Sequence, residues 1–159
     1  MSQIPRKFQI DTIDQRILSA LQKDGRLTYV QLAEKVKLSE SACLRRVRLL
    51  EQNGIIDKYV MLIDQAAIGK PGNVFVRVTL EGQQQEKLQH FEKEVAKVKE
   101  VMECYLMSGD SDFLLRVIVR DNNDYMQLHN QLTSIPGVLR VQSSFALKTV
   151  VKKTEMPLD

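Results

Sequence analysis

The stretch from Ser39 to Gly54 constrains this chain more than any other, because its two kinds of residue separate cleanly only on a helix. Cys43, Val47 and Leu50 recur at helical spacing and fall on one face, while Ser41, Arg45, Arg48 and Gln52 recur on the opposite one. Ser39 has the hydroxyl of an N-cap, and Gly54 supplies the stop. The outward stripe carries a hydroxyl, two guanidinium groups and an amide, groups that pair with phosphates and with purine edges in the major groove of double-stranded DNA. Arg46 lies between this stripe and the core face. The segment reads as a recognition helix.

Such a helix needs two others to present it. Ile10, Ile13, Ile17, Leu18 and Leu21 form an apolar stripe opened by Asp11, with Asp14 three residues on and Gly25 as its end. Thr28-Tyr29-Val30-Gln31 is a capping box, and Leu32, Ala33 and Val36 give the short helix after it an apolar face. Only Lys37 and Leu38 separate that helix from Ser39, which is the turn of a helix-turn-helix. Many such turns carry glycine where Lys37 stands, and a lysine held at positive φ costs ~1 kcal/mol. Ile55 to Ile63, β-branched and aromatic after a glycine, reads as a wing or connecting strand. The candidate DNA contacts are Thr28, Ser39, Ser41, Arg45, Arg46, Arg48, Gln52 and Lys58.

Charge follows this division. Residues 1–64 hold 11 Lys and Arg against 8 Asp and Glu, whereas residues 65–159 hold 12 of each, so the whole net charge of +3 belongs to the helix-turn-helix half. That excess is modest for a nucleic-acid binder, and the weight falls on where the arginines point. No run approaches the ~20 apolar residues of a membrane span, and Met1 to Lys7 lacks the apolar core of a secretory signal, so a cytoplasmic protein is expected. Cys43 and Cys104 lie far apart, without metal-ligand spacing, and are expected to be small core hydrophobes.

Gly and Pro concentrate between Ile68 and Asn73, which marks a linker over residues 65–73. Beyond it the pattern changes to alternation. Val74 to Leu80, Val101 to Met107, Phe113 to Val119 and Val138 to Val151 read as strands. Leu88, Phe91, Val95 and Val98 mark one helix, and Tyr125, Leu128, Leu132 and Ile135 a second. Strand, helix, strand, strand, helix, strand is the order of a ferredoxin-like βαββαβ sandwich, so the chain is α+β: a winged helix-turn-helix (1–64), a linker and a sandwich (74–159). Two helices cover one sheet face. Phe75, Tyr105 or its neighbours, and Phe145 or its neighbours are then left on the other, for which a second copy of the chain is the natural cover.

Three stretches together resemble the Lrp/AsnC family of transcription regulators, over nearly the whole length. They are Asp11 to Leu18 running into Leu21 to Arg26; Leu38-Ser39 through Cys43 to Val47 and on to Gly54-Ile55; and Ser108-Gly109-Asp110-Ser111-Asp112-Phe113-Leu114-Leu115. The resemblance implies an N-terminal DNA-binding domain, a C-terminal sandwich that dimerises, assembly of dimers into a tetramer or octamer, and control by a free amino acid. It also assigns effector sensing to the Gly109–Asp112 loop, where aspartates would hold the ammonium and backbone amides the carboxylate. The full candidate set is Met107, Ser108, Gly109, Asp110, Ser111, Asp112 and Phe113, with Gln142, Ser143 and Ser144 supplied by an adjoining subunit. Apolar Met107 and Phe113 favour leucine or methionine. Catalytic residues, cofactors and metal sites are not expected: His90 and His129 stand beside no nucleophile or ligand set, and no glycine-rich phosphate loop occurs. The competing reading is an architectural DNA-binding protein that answers to no ligand.

Overall fold

The computed structural model describes residues 8–158; the basic start of the chain lies outside them. Two compact units emerge. One is built from the residues up to Leu62 together with those from Val151 on, and the other is Ile63–Val150. The last residues of the chain thus cluster with the helical unit, whereas the sequence pattern grouped them with the sandwich.

In the helical unit, α1 (Thr12–Lys23), α2 (Tyr29–Val36) and α3 (Glu40–Gln52) each begin on a side-chain cap. Asp11 Oδ1 accepts from the amides of Ile13 and Asp14 at 2.9 and 2.8 Å, and Asp14 Oδ2 accepts in return from the Asp11 amide, completing a capping box. Thr28 and Gln31 do the same for α2, and Ser39 Oγ accepts from the Ala42 amide for α3. Ile17, Leu32, Val36, Cys43, Val47 and Leu50 are fully buried between the three helices. Lys37 sits in the α2–α3 turn at φ 59°, ψ 49°, the left-handed conformation anticipated for it. After α3, Gly54 turns at φ 69° and the amides of Ile55 and Ile56 both donate to the Leu50 carbonyl.

The strand expected over residues 55–63 joins no ladder among the described residues. Residues Val60, Met61 and Leu62 are largely exposed, since a strand without a neighbour has nothing to satisfy its backbone or bury its side chains. Beyond the Ile55 and Ile56 amides and the Ile56 side chain packed on the helical core, Tyr59 is also tied down. Its hydroxyl donates to Glu51 Oε1 at 3.4 Å, and its ring lies where a Cβ on Gly25 would approach to 3.4 Å. Burial and the neighbouring Glu51 charge push its pKa up to about 12.

The second unit is an antiparallel sheet in the order β2-β3-β1-β4, formed by β1 (Gly72–Leu80), β2 (Val101–Leu106), β3 (Phe113–Val119) and β4 (Val138–Phe145). Helices α4 (Gln85–Val95) and α5 (Asn122–Thr133) pack on one face. Val74, Val76 and Val78 of the central β1 meet Leu115 and Val117 of β3 there, all fully buried beneath Phe91 and Leu132. The last strand ends at Phe145, well before Val151. Its partner β1 begins at Gly72, and the final rung is the Ala146 amide donating to the Asn73 carbonyl at 2.9 Å.

Candidate DNA-reading helix and effector loop

On α3, Ser41, Arg45, Arg48 and Gln52 are all exposed and, with Leu44 and Leu49, line a shallow concavity of about 280 Å3. Neither Arg45 nor Arg48 is in an ion pair with any described residue, so both guanidinium groups keep their donors for an outside acceptor. Thr28 and Ser39 spend their hydroxyl oxygens as caps but stay on the surface at the starts of α2 and α3. The Lys58 side chain is 72% exposed, with Asp57 at 3.9 Å.

Arg46 is placed differently. Its Nη1 donates to Asp11 Oδ2 and to Asp14 Oδ1, both at 2.8 Å, and so bolts α3 to the start of α1. Hydrogen bonds donated to Asp14 and then Asp11 raise its pKa further; the Asp14 amide and then Arg46 hold the Asp11 carboxyl below its ordinary value. Asp14 is buried, and Arg46 is the cation paired with it. A guanidinium committed in this way has turned from the outward stripe to the interior.

The loop between β2 and β3 is pinned at its base. The Asp112 amide donates to the Val78 carbonyl, and the Met107 amide donates to the Asp112 carbonyl. The Asp112 carboxylate is buried, with Oδ2 accepting from the Leu80 amide at 2.7 Å and Oδ1 from Gln83 Nε2 at 2.8 Å. Both oxygens already serve the fold, so Asp112 is an anchor and not the ammonium ligand expected of it. Phe113 is also interior, 1% exposed and 4.6 Å from the Phe91 ring centroid. What faces outward is Met107, Ser108, Gly109 and Asp110, with Ser111 half-buried. Gly109 turns at φ 121°, and no described residue accepts from the amides of residues 108–111.

Strand alternation divides the three residues expected from β4. Ser143 pairs with Val76 on the helix-covered face, where the Tyr125 hydroxyl bonds to its Oγ; Tyr125 also reaches His129 Nδ1 at 3.3 Å. Gln142 and Ser144, opposite Arg77 and Phe75, are on the open face. Phe145 too departs from expectation: it lies edge-on against the Tyr125 ring at 4.8 Å, on the helix side. Within one chain the loop sits at the Leu80–Val138 end of the sheet, away from Ser143 and Ser144.

Open-face residues, of which periodicity singled out Tyr105 but not its partners, form a network of their own. Arg116 donates from Nε to Glu103 at 2.9 Å and from Nη1 to Asn73 at 3.1 Å, and the Tyr105 hydroxyl donates to the same Glu103, which raises the Tyr105 pKa. Alternation places these residues on the open face, but only the register across β2, β3 and β1 brings them together. Cys43 is buried, as expected. Cys104 instead lies exposed on the edge strand β2, although its thiol is turned toward α4, where burial and then Glu92 push its pKa up to about 11. Among the described residues no cluster of His, Cys, Asp and Glu is suited to a metal ion, and no helix is long and apolar enough to cross a membrane.

Comparison with known proteins agrees with this geometry. Residues 73–156 match the Lrp/AsnC ligand binding domain, and residues 10–57 match a winged helix-turn-helix DNA-binding domain. The chain is 44% identical over 151 residues to the Bkd operon transcriptional regulator of Pseudomonas aeruginosa, covering 94% of this chain and 99% of that one. It is 36% identical over 148 residues to the leucine-responsive regulatory protein of Escherichia coli K12, covering 92% and 90%. Among solved structures, a transcriptional regulator from Neisseria meningitidis in complex with L-Met superposes with a TM-score of 0.90 at 36% identity, over 95% of this chain and 98% of that one. An AsnC family regulator from Agrobacterium tumefaciens gives 0.89, also at 36% identity, over 92% and 96%.

Proposed function

The chain belongs to the Lrp/AsnC family of DNA-binding transcription regulators, and from that premise we propose that its dimer reads a pseudo-palindromic site through paired α3 helices under the control of a free amino acid. The observation that carries the DNA half is the contrast along α3: Arg46 is consumed by Asp11 and Asp14, while Arg45 and Arg48 have no partner among the described residues. Ser41, Arg45, Arg48 and Gln52 enter the major groove, and Thr28, Ser39 and Lys58 approach phosphates. Gel-shift titration tests this. Arg45→Ala and Arg48→Ala should each weaken binding, by ~1–3 kcal/mol at one base position where the arginine reads a base and uniformly where it holds a phosphate. Full affinity in the double variant would sink the assignment.

The effector is an amino acid with an apolar side chain, leucine or methionine. One relative is a leucine-responsive regulator and one structural neighbour was solved with L-Met. Asp110 takes the ammonium and the amides of residues 108–111 take the carboxylate, beside Met107; Gln142 and Ser144 of another subunit are candidates to complete the site. The open sheet face pairs with a second copy, and dimers join into a tetramer or octamer. Of the charges on that face, Arg116 is already matched by Glu103 within the chain, whereas Arg77 of β1 is in no ion pair with a described residue and needs a partner across the interface. The protein works in the cytoplasm. Thermal-shift measurements with leucine and methionine, on wild type and Asp110→Ala, separate this reading from a ligand-independent architectural protein, for which neither amino acid would raise the melting temperature.

A further inference from the structure

The far end of the chain completes the helical unit. From Val151 on the described residues belong to that unit, and a side chain of α1 hydrogen-bonds to their backbone. Gln22, in the last turns of α1, donates from Nε2 to the Met156 carbonyl at 3.1 Å and accepts at Oε1 from the Met156 amide at 2.5 Å. One amide thereby satisfies both backbone groups of one residue. A carboxylate only accepts and an ammonium only donates, so Gln22 could not be exchanged for Glu or Lys without losing one of the two bonds. Two residues on, Leu158 packs against the core formed by Ile17, Leu32 and Leu50.

The helical unit is therefore joined to the sandwich twice, once after Leu62 and once before Val151. A unit on one link keeps all its rotational freedom about that link; a second link attached elsewhere removes much of it, by the same loss of chain entropy that closes a loop. The stretch from Phe145 to Met156 can reach at most about 35–40 Å when fully extended. That reach is comparable to the ~34 Å between half-sites one helical turn apart. We propose that the tail is a second tether that sets the reach and orientation of the DNA reader, with Gln22 as its latch and positioning residue. The inference rests on the paired-helix reading above. It concerns the spacing at which two readers can bind together, and not the affinity of one reader for one half-site.

The test uses the full chain, with Gln22→Ala and Leu158→Ser as independent ways to release the tail. The probes are duplexes carrying a half-site recovered from randomised DNA with the wild-type protein, either as one copy or as an inverted pair whose spacing is varied in single base pairs over a helical turn. Wild type should favour its best spacing over one half a turn away by at least about tenfold, as expected when a second contact is made at high effective concentration. Both variants should bind all spacings within about threefold while keeping single-copy affinity within about twofold of wild type. A variant profile as sharp as that of wild type would overturn the tether alone. So would single-copy affinity that falls in step with paired affinity, because the tail would then merely complete the fold of the reader. A flat profile in the wild type itself would remove the paired reading and the tether together.

Discussion

Replacing Arg46 with alanine should unfold the DNA-reading unit more easily and leave the chemistry of its outward face intact. Nη1 lies 2.8 Å from one oxygen of Asp14, whose side chain is 5% exposed, while that of Arg46 is 23% exposed. Opposite charges ~3 Å apart attract by about 5–6 kcal/mol at an effective dielectric of ~20, and the desolvation of both ions takes back much of that. The cost of the substitution is set less by the lost attraction than by what stays behind: a carboxylate buried without its cation. Breaking a fully buried pair costs about 3–5 kcal/mol; water can enter beside the partly exposed Arg46, so about 2–3 kcal/mol is expected here. For a unit of this size that is roughly 10–20 °C in melting temperature. Hydrogen exchange localises the loss: amides of α1 and α3 should exchange faster, those of the sandwich as before. Arg45→Ala, on the exposed face of the same helix, should stay within about 0.5 kcal/mol of wild type. Unchanged exchange in Arg46→Ala together with weakened DNA binding would refute the reasoning and return Arg46 to the reading face.

Asp112→Ala should cost about 1–3 kcal/mol, since it orphans the Leu80 amide under the loop, whereas Asp110→Ala should leave denaturation curves unchanged and abolish the thermal shift with amino acids. The reverse pattern would exchange their roles. Lys37→Gly should raise stability by about 0.5–1 kcal/mol in a thermal melt, because glycine adopts φ 59° without the clash of a Cβ; a lowered melting temperature would count against strain at this turn. Asp11 and Asp124 both have folded pKa values below their ordinary 3.8, Asp11 through the Asp14 amide and Arg46, Asp124 through Arg120. The unfolded chain therefore binds the proton first: their stabilisation is complete above about pH 4 and fades as pH falls through the folded values. Asp11→Asn should flatten the acid limb of a stability–pH curve, and an unaltered limb would show that other carboxylates control it.

What the sequence made legible was whatever repeats at short range. The caps at Asp11, Thr28 and Ser39, the buried stripe of α3 and the alternation of β1 and β3 all follow from spacing within one element, and each stands in the structure where spacing put it. The left-handed turn at Lys37 was legible for the same reason, the apolar face ending at Val36 and the cap at Ser39 leaving two residues for the turn. Failures came where a second element decides. Arg46 sits between two faces, and only the arrival of Asp14 from α1 assigns it to the interior. Asp112 looks like any loop aspartate until β1 brings the Leu80 amide beneath it and Gln83 beside it. Ser143 and Ser144 are neighbours in sequence but belong to opposite faces of β4, and Phe145 follows Ser143 to the helix side. The clasp between Gln22 and Met156 spans 134 residues, and a lone glutamine on a helix gives no warning of it. For Arg46, Asp112, Ser143 and Ser144 the local pattern named a group with hydrogen-bonding capacity to spare, and the tertiary fold decided whether that capacity was spent inward or kept for a ligand. The distinction bears directly on the two sites. Of the arginines on α3 and the aspartates of the loop, those turned inward, Arg46 and Asp112, build the platforms from which Arg45, Arg48 and Asp110 are offered outward.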